Sequence, residues 1–343
     1  MFTSTRSRNW AYTLSVLPGL LVLFGHWLGS YWVWMNAVFS LGFLAILEYG
    51  LGEDLGDQHS DFRDALPKVL LWSHVVLTLA MLGSLAWFLD QEHASWWMSL
   101  GAILSTGVAC GSGAVVVAHE LIHKADRLSK MAGRGLLLMV GNPYFSAHHI
   151  RVHHVHVGTQ HDCVTARKGE SLYRYIPRSI GGQFRQARQA EVAWQLKRMG
   201  TAPAVSSHLY QNALLCLVLL ALLWVGNPIW AWAWLAVSAL AAILLEYVNY
   251  IEHYGLERGQ GDRVSAHHSW TSNRTISRFL LFDLSRHADH HMHASKPYHC
   301  LDSILSSPQL PGGYVQLLYL AIRPAKWFKI VDPLLPVAEA DSP

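Results

Sequence analysis

Six stretches of the chain carry no Asp, Glu, Lys or Arg: residues 11–28, 31–47, 69–89, 94–118, 207–225 and 228–245. A bilayer core about 30 Å thick is crossed by roughly 20 apolar residues as helix, so each stretch predicts a transmembrane span. Short breaks join them in pairs: Gly29-Ser30, then Asp90-Gln91-Glu92-His93, then Gly226-Asn227. The pattern predicts an all-α membrane protein whose six transmembrane helices form three hairpins. A soluble helical core does not readily explain runs this long and this free of charge. A further apolar patch at 314–322 is too short to cross and is expected on the membrane surface or packed against the polar regions.

Polar regions divide the chain. Residues 1–118 hold the first four spans, 119–206 a first large polar region, 207–251 the last two spans and 252–343 a second polar region. None of the 26 Lys and Arg lies in the three short breaks. The positive-inside rule therefore puts both termini and both histidine-bearing regions in the cytoplasm. Arg6 and Arg8 precede the first apolar run, but no small-residue cleavage site follows it, and the run is read as a span. Tyr31, Trp32, Trp34, Trp96 and Trp97 beside two breaks suit an interfacial aromatic belt.

Composition sharpens this picture. Charged residues are 14% of the 343, against roughly 25% in soluble domains. The net charge of +3 disfavours nucleic acid as a partner. Cys110, Cys163, Cys216 and Cys300 are far apart and form no C-x-x-C, which excludes a disulfide framework or a local zinc knuckle. The unusual feature is 21 His, eight of them in 119–161 and eight in 253–299. Both windows begin where a predicted span ends on the cytoplasmic side, so the topology brings them to one face of the bundle.

Their spacing suggests ligands. His119 and His123, in His119-Glu120-Leu121-Ile122-His123, stand at i and i+4 on one helix face. His149 and His153 repeat the relation, with His154 adjacent; His290 and His291 follow His287 at i+3 and i+4. Each set can point its imidazoles at one centre if helical. His253 closes the sixth span and completes nine candidates. A tetrahedral site takes four protein ligands when structural and about three when catalytic, so two metals are the natural reading. Imidazole suits Zn, Cu, Fe and Ni alike. Carboxylate-bridged di-iron bundles use two Glu-x-x-His motifs; only Glu120-Leu121-Ile122-His123 fits within the clusters, which disfavours that class. His148, His156, His161, His267, His268, His293 and His299 are expected beside the ligands, on the surface or in loops. Glu120, Asp162, Glu252, Asp283 and Asp289 are the nearby carboxylates that would orient ligand imidazoles or serve as caps and solvated charges.

Three histidine boxes on a multi-span chain resemble the integral-membrane di-iron hydroxylases and desaturases. Asn249-Tyr250-Ile251-Glu252-His253-Tyr254-Gly255-Leu256 resembles the hallmark of the alkane 1-monooxygenases and the related xylene monooxygenase hydroxylase subunits. His119-Glu120-Leu121-Ile122-His123-Lys124 and Arg286-His287-Ala288-Asp289-His290-His291 match the first and last family boxes, and residues 166–171 and 307–313 also look familial. Val152 stands where the family usually has Gly, and His161-Asp162-Cys163 replaces a more usual acidic pair and Pro. The resemblance implies two irons held by the nine His, O2 as co-substrate, and electrons from a rubredoxin or a ferredoxin-type donor. It also implies a hydrophobic substrate, a medium-chain n-alkane ahead of an alkyl-aromatic methyl, and a place in the bacterial inner membrane. A narrow apolar pocket would set position, with Trp, Phe and Leu of the first four spans as candidate walls. Arg323, Lys326 and Lys329 would steer an acidic donor or contact anionic lipid. Competing readings are a fatty acid desaturase or hydroxylase, an intramembrane zinc protease using the H-E-x-x-H pattern, and a metal transporter, whose sites would lie near mid-bilayer.

Overall fold

The computed structural model describes residues 5–56, 65–91, 95–200 and 207–336. The Glu92-His93 part of the second break, residues 57–64 and 201–206 of the two loops, the side chain of Arg6 and residues 337–343 lie outside the described residues. Six helices are long and apolar enough to cross a membrane: α1 (Arg8–Leu28), α2 (Ser30–Leu51), α3 (Ala65–Leu89), α4 (Trp96–His123), then, after intervening helices, His208–Gly226 and Pro228–His253. Between α4 and the fifth span come α5 (Arg127–Met139), α6 (residues 145–156) and α7 (Leu172–Met199). The fifth and sixth spans are α8 and α9. Beyond them lie α10 (Thr275–Leu280), α11 (His287–Met292), α12 (Tyr314–Ala321) and α13 (Pro324–Val331). No strand forms among the described residues; two isolated bridges, Glu53 with Arg274 and Thr271 with Gln309, pin loops together.

α4 is the central helix, with 78% of its apolar window buried inside the protein, against 11% for α8. It contacts α1, α2, α3 and α9. Small residues allow the approach of α9: a Cβ on Gly107 or Gly111 would meet Leu240 or Leu244 at 2.7 and 2.8 Å. α8 turns Leu217, Leu222 and Val225 outward, which suits lipid as its solvent. Tyr31, Trp32 and Trp96 are exposed near the ends of spans, with Trp34 stacked on Trp97 at 4.3 Å. The four cysteines are free.

At their C-terminal ends three spans run on past a charged residue, and always toward the polar regions. α2 continues through Glu48, α4 through Glu120 to His123, and α9 through Glu246 and Glu252 to His253. A charge can sit inside these helices because partners from the two polar regions reach it, as Gln183 reaches Glu246. Glu48, fully buried, accepts from Ser277 N at 3.0 Å, from Gln316 N at 3.2 Å and from the Ser277 hydroxyl. The apolar patch at 314–322 forms α12, which packs on α2 and α9 through Tyr314, Leu317 and Ala321. Removing the Glu48 carboxylate strands the buried Ser277 and Gln316 amides, and each orphaned group costs about 1–3 kcal/mol. Glu48→Ala is therefore expected to lower the thermal unfolding midpoint in detergent, with Glu48→Gln much milder because its amide oxygen still accepts. Equal midpoints for wild type and Glu48→Ala would refute this anchoring role.

Candidate metal centre

Four elements deliver the nine candidate imidazoles, each for a local reason. α4 ends in His119 and His123, one helical turn apart on its inner face. α9 ends at His253, and the chain then reverses through Gly255, whose φ of +66° suits glycine. The reversal is fixed by Gly255 N donating to Ala166 O at 2.8 Å and the Trp270 indole donating to Tyr254 O at 2.9 Å. α11 supplies His287, His290 and His291. In α6 the backbone from His149 to His153 is a π-helical turn, a single-turn irregularity common at functional sites.

The imidazoles fall into two groups. His119, His123, His149, His154 and His290 form one; His153, His253, His287 and His291 form the other, with the ligand atoms of each group within 4.8 Å of one another. In the first, Nε2 of His149 stands 3.0 Å from those of His123 and His154, and Nε2 of His290 stands 3.2 Å from that of His154. In the second, Nε2 of His287 stands 3.1 Å from that of His253 and 3.0 Å from that of His291. The groups adjoin: the rings of His154 and His291 stack at 4.5 Å.

This corrects the expectation that each box points at one centre. Only the first box does. The π turn sends His153 to one group and its neighbours His149 and His154 to the other. In the third box the i, i+4 pair His287 and His291 stays together, while His290 faces the other way. Both later boxes thus serve both groups.

Surrounding groups hold the rings. His153 Nδ1–H donates to Asp162 Oδ2 at 2.9 Å, and Asp162 also accepts from Thr165 Oγ1 and Val164 N. Burial alone would raise the Asp162 carboxyl; the pull of His153 and these donors overcomes it and holds the pKa well below the usual carboxylate range. His253 Nδ1 lies 3.4 Å from His268 O. Glu252 Oε2 lies 3.3 Å from His287 Nε2, and its Oε1 accepts from the Tyr314 hydroxyl at 2.8 Å. The other three carboxylates serve elsewhere: Glu120 pairs with Lys124 and accepts from Tyr298 N, Asp289 takes His293 and Lys296, and Asp283 takes Tyr12 and Arg278. Of the remaining clustered His, His148 is buried against Gln186 Oε1 at 3.0 Å, forming a third small group with Asp162 and Cys163. His161 packs near His156 and His268 bonds to Ser265 N. His267 is exposed, His293 pairs with Asp289, and His299 is buried against Tyr298.

Two observations fit metal ions. Buried imidazole nitrogens in both groups, His119 Nε2 in the first and His153 Nε2, His287 Nδ1 and His291 Nδ1 in the second, have no hydrogen-bond partner among the described residues, and an orphaned buried donor or acceptor calls for an explanation such as an ion. Burial, and then the neighbouring imidazoles, also depress the pKa of His149, His154, His287, His290 and His291 well below 6.5. They are neutral at pH 7, the form in which imidazole ligates.

An apolar cavity of about 100 Å³ ends on the groups from the membrane side. His119, His149, His287 and Glu252 close one end; Leu41, Val108, Val115, Leu244, Val248 and Leu281 are among its apolar walls. The expected walls are corrected here. α1 and α3 contribute nothing to its lining, no Trp lines it, and Leu41 is the one leucine from the first four spans. The missing side comes from α9 and the second polar region, which pattern reading alone could not have brought beside α4.

A profile of the fatty acid desaturase family matches residues 94–319, which include both histidine windows. The chain is 35% identical to alkane 1-monooxygenase 1 of Pseudomonas aeruginosa, over 95% of this chain and 90% of that protein. It is 32% identical to alkane 1-monooxygenase 2 of Alcanivorax borkumensis, over 89% and 83%. It is 28% identical to the xylene/toluene monooxygenase hydroxylase component of Pseudomonas putida, over 90% and 84%.

The depressed imidazoles make metal-free stability pH-dependent. The unfolded chain takes up protons near 6.5 that the folded state refuses, so stability is fully present above that pH. It is expected to fall as pH drops below about 6.5, by up to about 1.4 kcal/mol per pH unit for each such imidazole. Unfolding of chelator-treated protein between pH 8 and pH 5.5 checks this; a flat profile or one rising toward acid contradicts it.

Proposed function

The chain belongs to the alkane 1-monooxygenase family, and from that premise we propose that it hydroxylates the terminal methyl of a hydrophobic substrate. A medium-chain n-alkane is the foremost candidate and an alkyl-aromatic methyl the next. The protein is a multi-pass membrane oxidoreductase. The observation that carries the proposal is the apolar cavity that ends on imidazoles of both groups.

Two irons would be held by His119, His123, His149, His154 and His290 on one side and by His153, His253, His287 and His291 on the other. Iron bound there would activate O2 and supply the oxidising power that an unactivated C–H bond demands. The balance is R–CH3 + O2 + 2 e⁻ + 2 H⁺ → R–CH2OH + H2O, with the electrons arriving from a rubredoxin or ferredoxin-type protein. An alkyl chain offers no group for an acid or base to grip, so selectivity falls to the cavity, which excludes water and presents one chain end. Asp162 fixes the tautomer and tilt of His153 through Nδ1, a support that ligating imidazoles generally need, while Glu252 stands beside the His287 nitrogen that faces the other rings of its group. The Lys and Arg distribution supports three hairpins with both termini and the histidine regions in the cytoplasm of a bacterial inner membrane.

His253→Ala, His287→Ala and His290→Ala are each expected to abolish hydroxylation and lower bound iron from two per chain. Whole-cell turnover on n-alkanes, alkylbenzenes and fatty acyl esters, with product identification and metal analysis, is the test. Alkenes as products would favour the desaturase reading that the family profile admits; one zinc per chain would favour a protease. Filling the cavity with Val248→Phe is expected to shift preference toward shorter chains by at least about one methylene, worth about 0.8 kcal/mol of apolar contact. An unchanged chain-length profile would show that the substrate lies elsewhere.

A further inference from the structure

The two imidazole groups differ in their access to solvent. All four members of the second are buried, whereas His123 and His154 of the first are partly exposed. His154 is followed by Val155, which is 54% exposed on the outer surface. Val155 lies in an open groove between α6, the loop at Gln160 and His161, the outer face of α7 and Gln260. The groove is thus lined by a residue one position along the chain from a candidate ligand.

Its chemistry is one-sided. No carboxylate lines it. Trp194 on its α7 wall lies between two guanidinium groups, with Arg151 at 4.4 Å and Arg198 at 5.2 Å from the ring. Arg151 is neutralised by Glu191, which is buried. Arg198 and, one helical turn before Gln189, Arg185 are exposed and have no ion-pair partner among the described residues. At the other edge, Arg258, its charge offset by nearby Asp262, donates to the carbonyl of Val155 itself at 2.6 Å, so that Arg185 and Arg198 carry the basic character of the rim. Exposed Ile150, Val155 and Trp194 add apolar contact at the centre. A basic rim around a small apolar patch suits an acidic protein that must dock briefly and leave.

We propose that this groove is where a small acidic one-electron carrier protein docks, and that electrons reach the five-imidazole group first, past Val155 and His154. This rests on the hydroxylase reading, since it assumes two electrons per turnover from a soluble protein. The carrier is oxidised by one electron in each of two visits, and the two protons come from water. The site differs from the basic cluster at Arg323, Lys326 and Lys329: α13 adds nothing to the groove and packs through Trp327 against Tyr250 and Tyr254.

The test uses the full-length, iron-loaded protein in nanodiscs and a purified acidic rubredoxin kept reduced by its reductase and NADH. Arg185→Glu with Arg198→Glu, and separately Val155→Glu, are expected to raise both the rubredoxin KM and its directly measured Kd at least tenfold, with the wild-type affinity falling at high salt. Alcohol yield in a single turnover after dithionite reduction should stay at the wild-type level, and Arg323→Glu with Lys326→Glu should leave KM unchanged. Unchanged KM and Kd in the Arg185/Arg198 variant overturns the proposal. So does a shift confined to the Arg323/Lys326 variant, or an Arg185/Arg198 variant that loses only co-purified anionic lipid. If Val155→Glu also loses its dithionite-driven yield, the Arg185/Arg198 variant decides, because both side chains are exposed and away from the imidazoles. If wild type makes no alcohol with either reductant while rubredoxin binding still depends on the groove, the hydroxylase reading fails and the docking surface stands.

Discussion

Nine imidazoles crowded into two adjoining groups are the constraint around which the rest of the protein is arranged. Neutral rings with Nε2 atoms about 3 Å apart have been taken out of water and turned toward one another, so that one ring nitrogen must serve more than one neighbour and others are left with no partner among the described residues. Such an arrangement is not self-sustaining: burying polar atoms without partners costs free energy, and protonation to relieve it is opposed by burial and by the neighbouring rings. The surrounding protein must hold these side chains in place, and cations shared among them would supply the partners they lack. The remaining buried polar contacts read as the scaffold for this placement. Glu48 ties α2 to Ser277 and Gln316. Buried Arg278 grips Asp283 at 2.7 Å, and buried Arg286 donates to Leu301 O and Gly56 O. The bonds to Glu48 and Gly56 join a membrane helix or its loop to the region that carries the third histidine box, and those to Asp283 and Leu301 brace that region within itself.

Irregular backbone gathers where regular helix could not satisfy both groups. A continuous α-helix through His149, His153 and His154 would keep His149 and His153 on one face. The π turn instead aligns His149 with His154, five residues apart, and frees His153 to reach the second group. Just before the third box, Phe282 and Asp283 have φ values of +53° and +51°. Non-glycine residues in that region store of order 1–3 kcal/mol each and persist only where their surroundings over-determine them. Here Arg278, Tyr12, the stacked rings of Tyr12 and Phe282 and the edge-on ring of Tyr298 supply that determination. Because two boxes are split between the groups, neither group can move without dragging the other.

Much of this was legible in the sequence, because the signals are local. Absence of charge over about 20 residues marks a span whatever its neighbours do, and His119 with His123 need only one helix to become partners. The Asn249–Leu256 motif was also legible as a unit, although its purpose was not. Tyr250 donates to Glu170 O, Gly169 N donates to the Tyr254 hydroxyl, and so the motif clasps the other familial stretch near residue 170. What pattern could not deliver is non-local. Nothing near Glu48 in sequence announces Ser277. The π turn has no residue signature in His149-Ile150-Arg151-Val152-His153. Asp162 and Asp289 look equivalent beside their boxes, yet only Asp162 reaches one of the nine rings. The cavity wall from α9 depends on Gly107 and Gly111 letting two spans approach, which is a packing outcome and not a periodicity.

The placement of the imidazoles at the ends of spans, beyond the apolar windows, follows from the two supplies such chemistry requires. An alkane is dissolved in lipid, whereas electrons and protons arrive by way of water. A centre at mid-bilayer would meet the first and be cut off from the second; one on a soluble domain would reverse the difficulty. Here the apolar cavity approaches His119, His149 and His287 from between α2, α4 and α9, while His123 and His154 keep partial exposure to solvent. The same wall of imidazoles thus separates a dry side from a wet one. A strong oxidant generated there would face a mostly apolar lining on the dry side, and the shape of the cavity would decide which carbon stands closest. On that view the membrane is part of the active site's design: it concentrates the substrate, and it keeps water away from the side of the centre where water would be a competing partner.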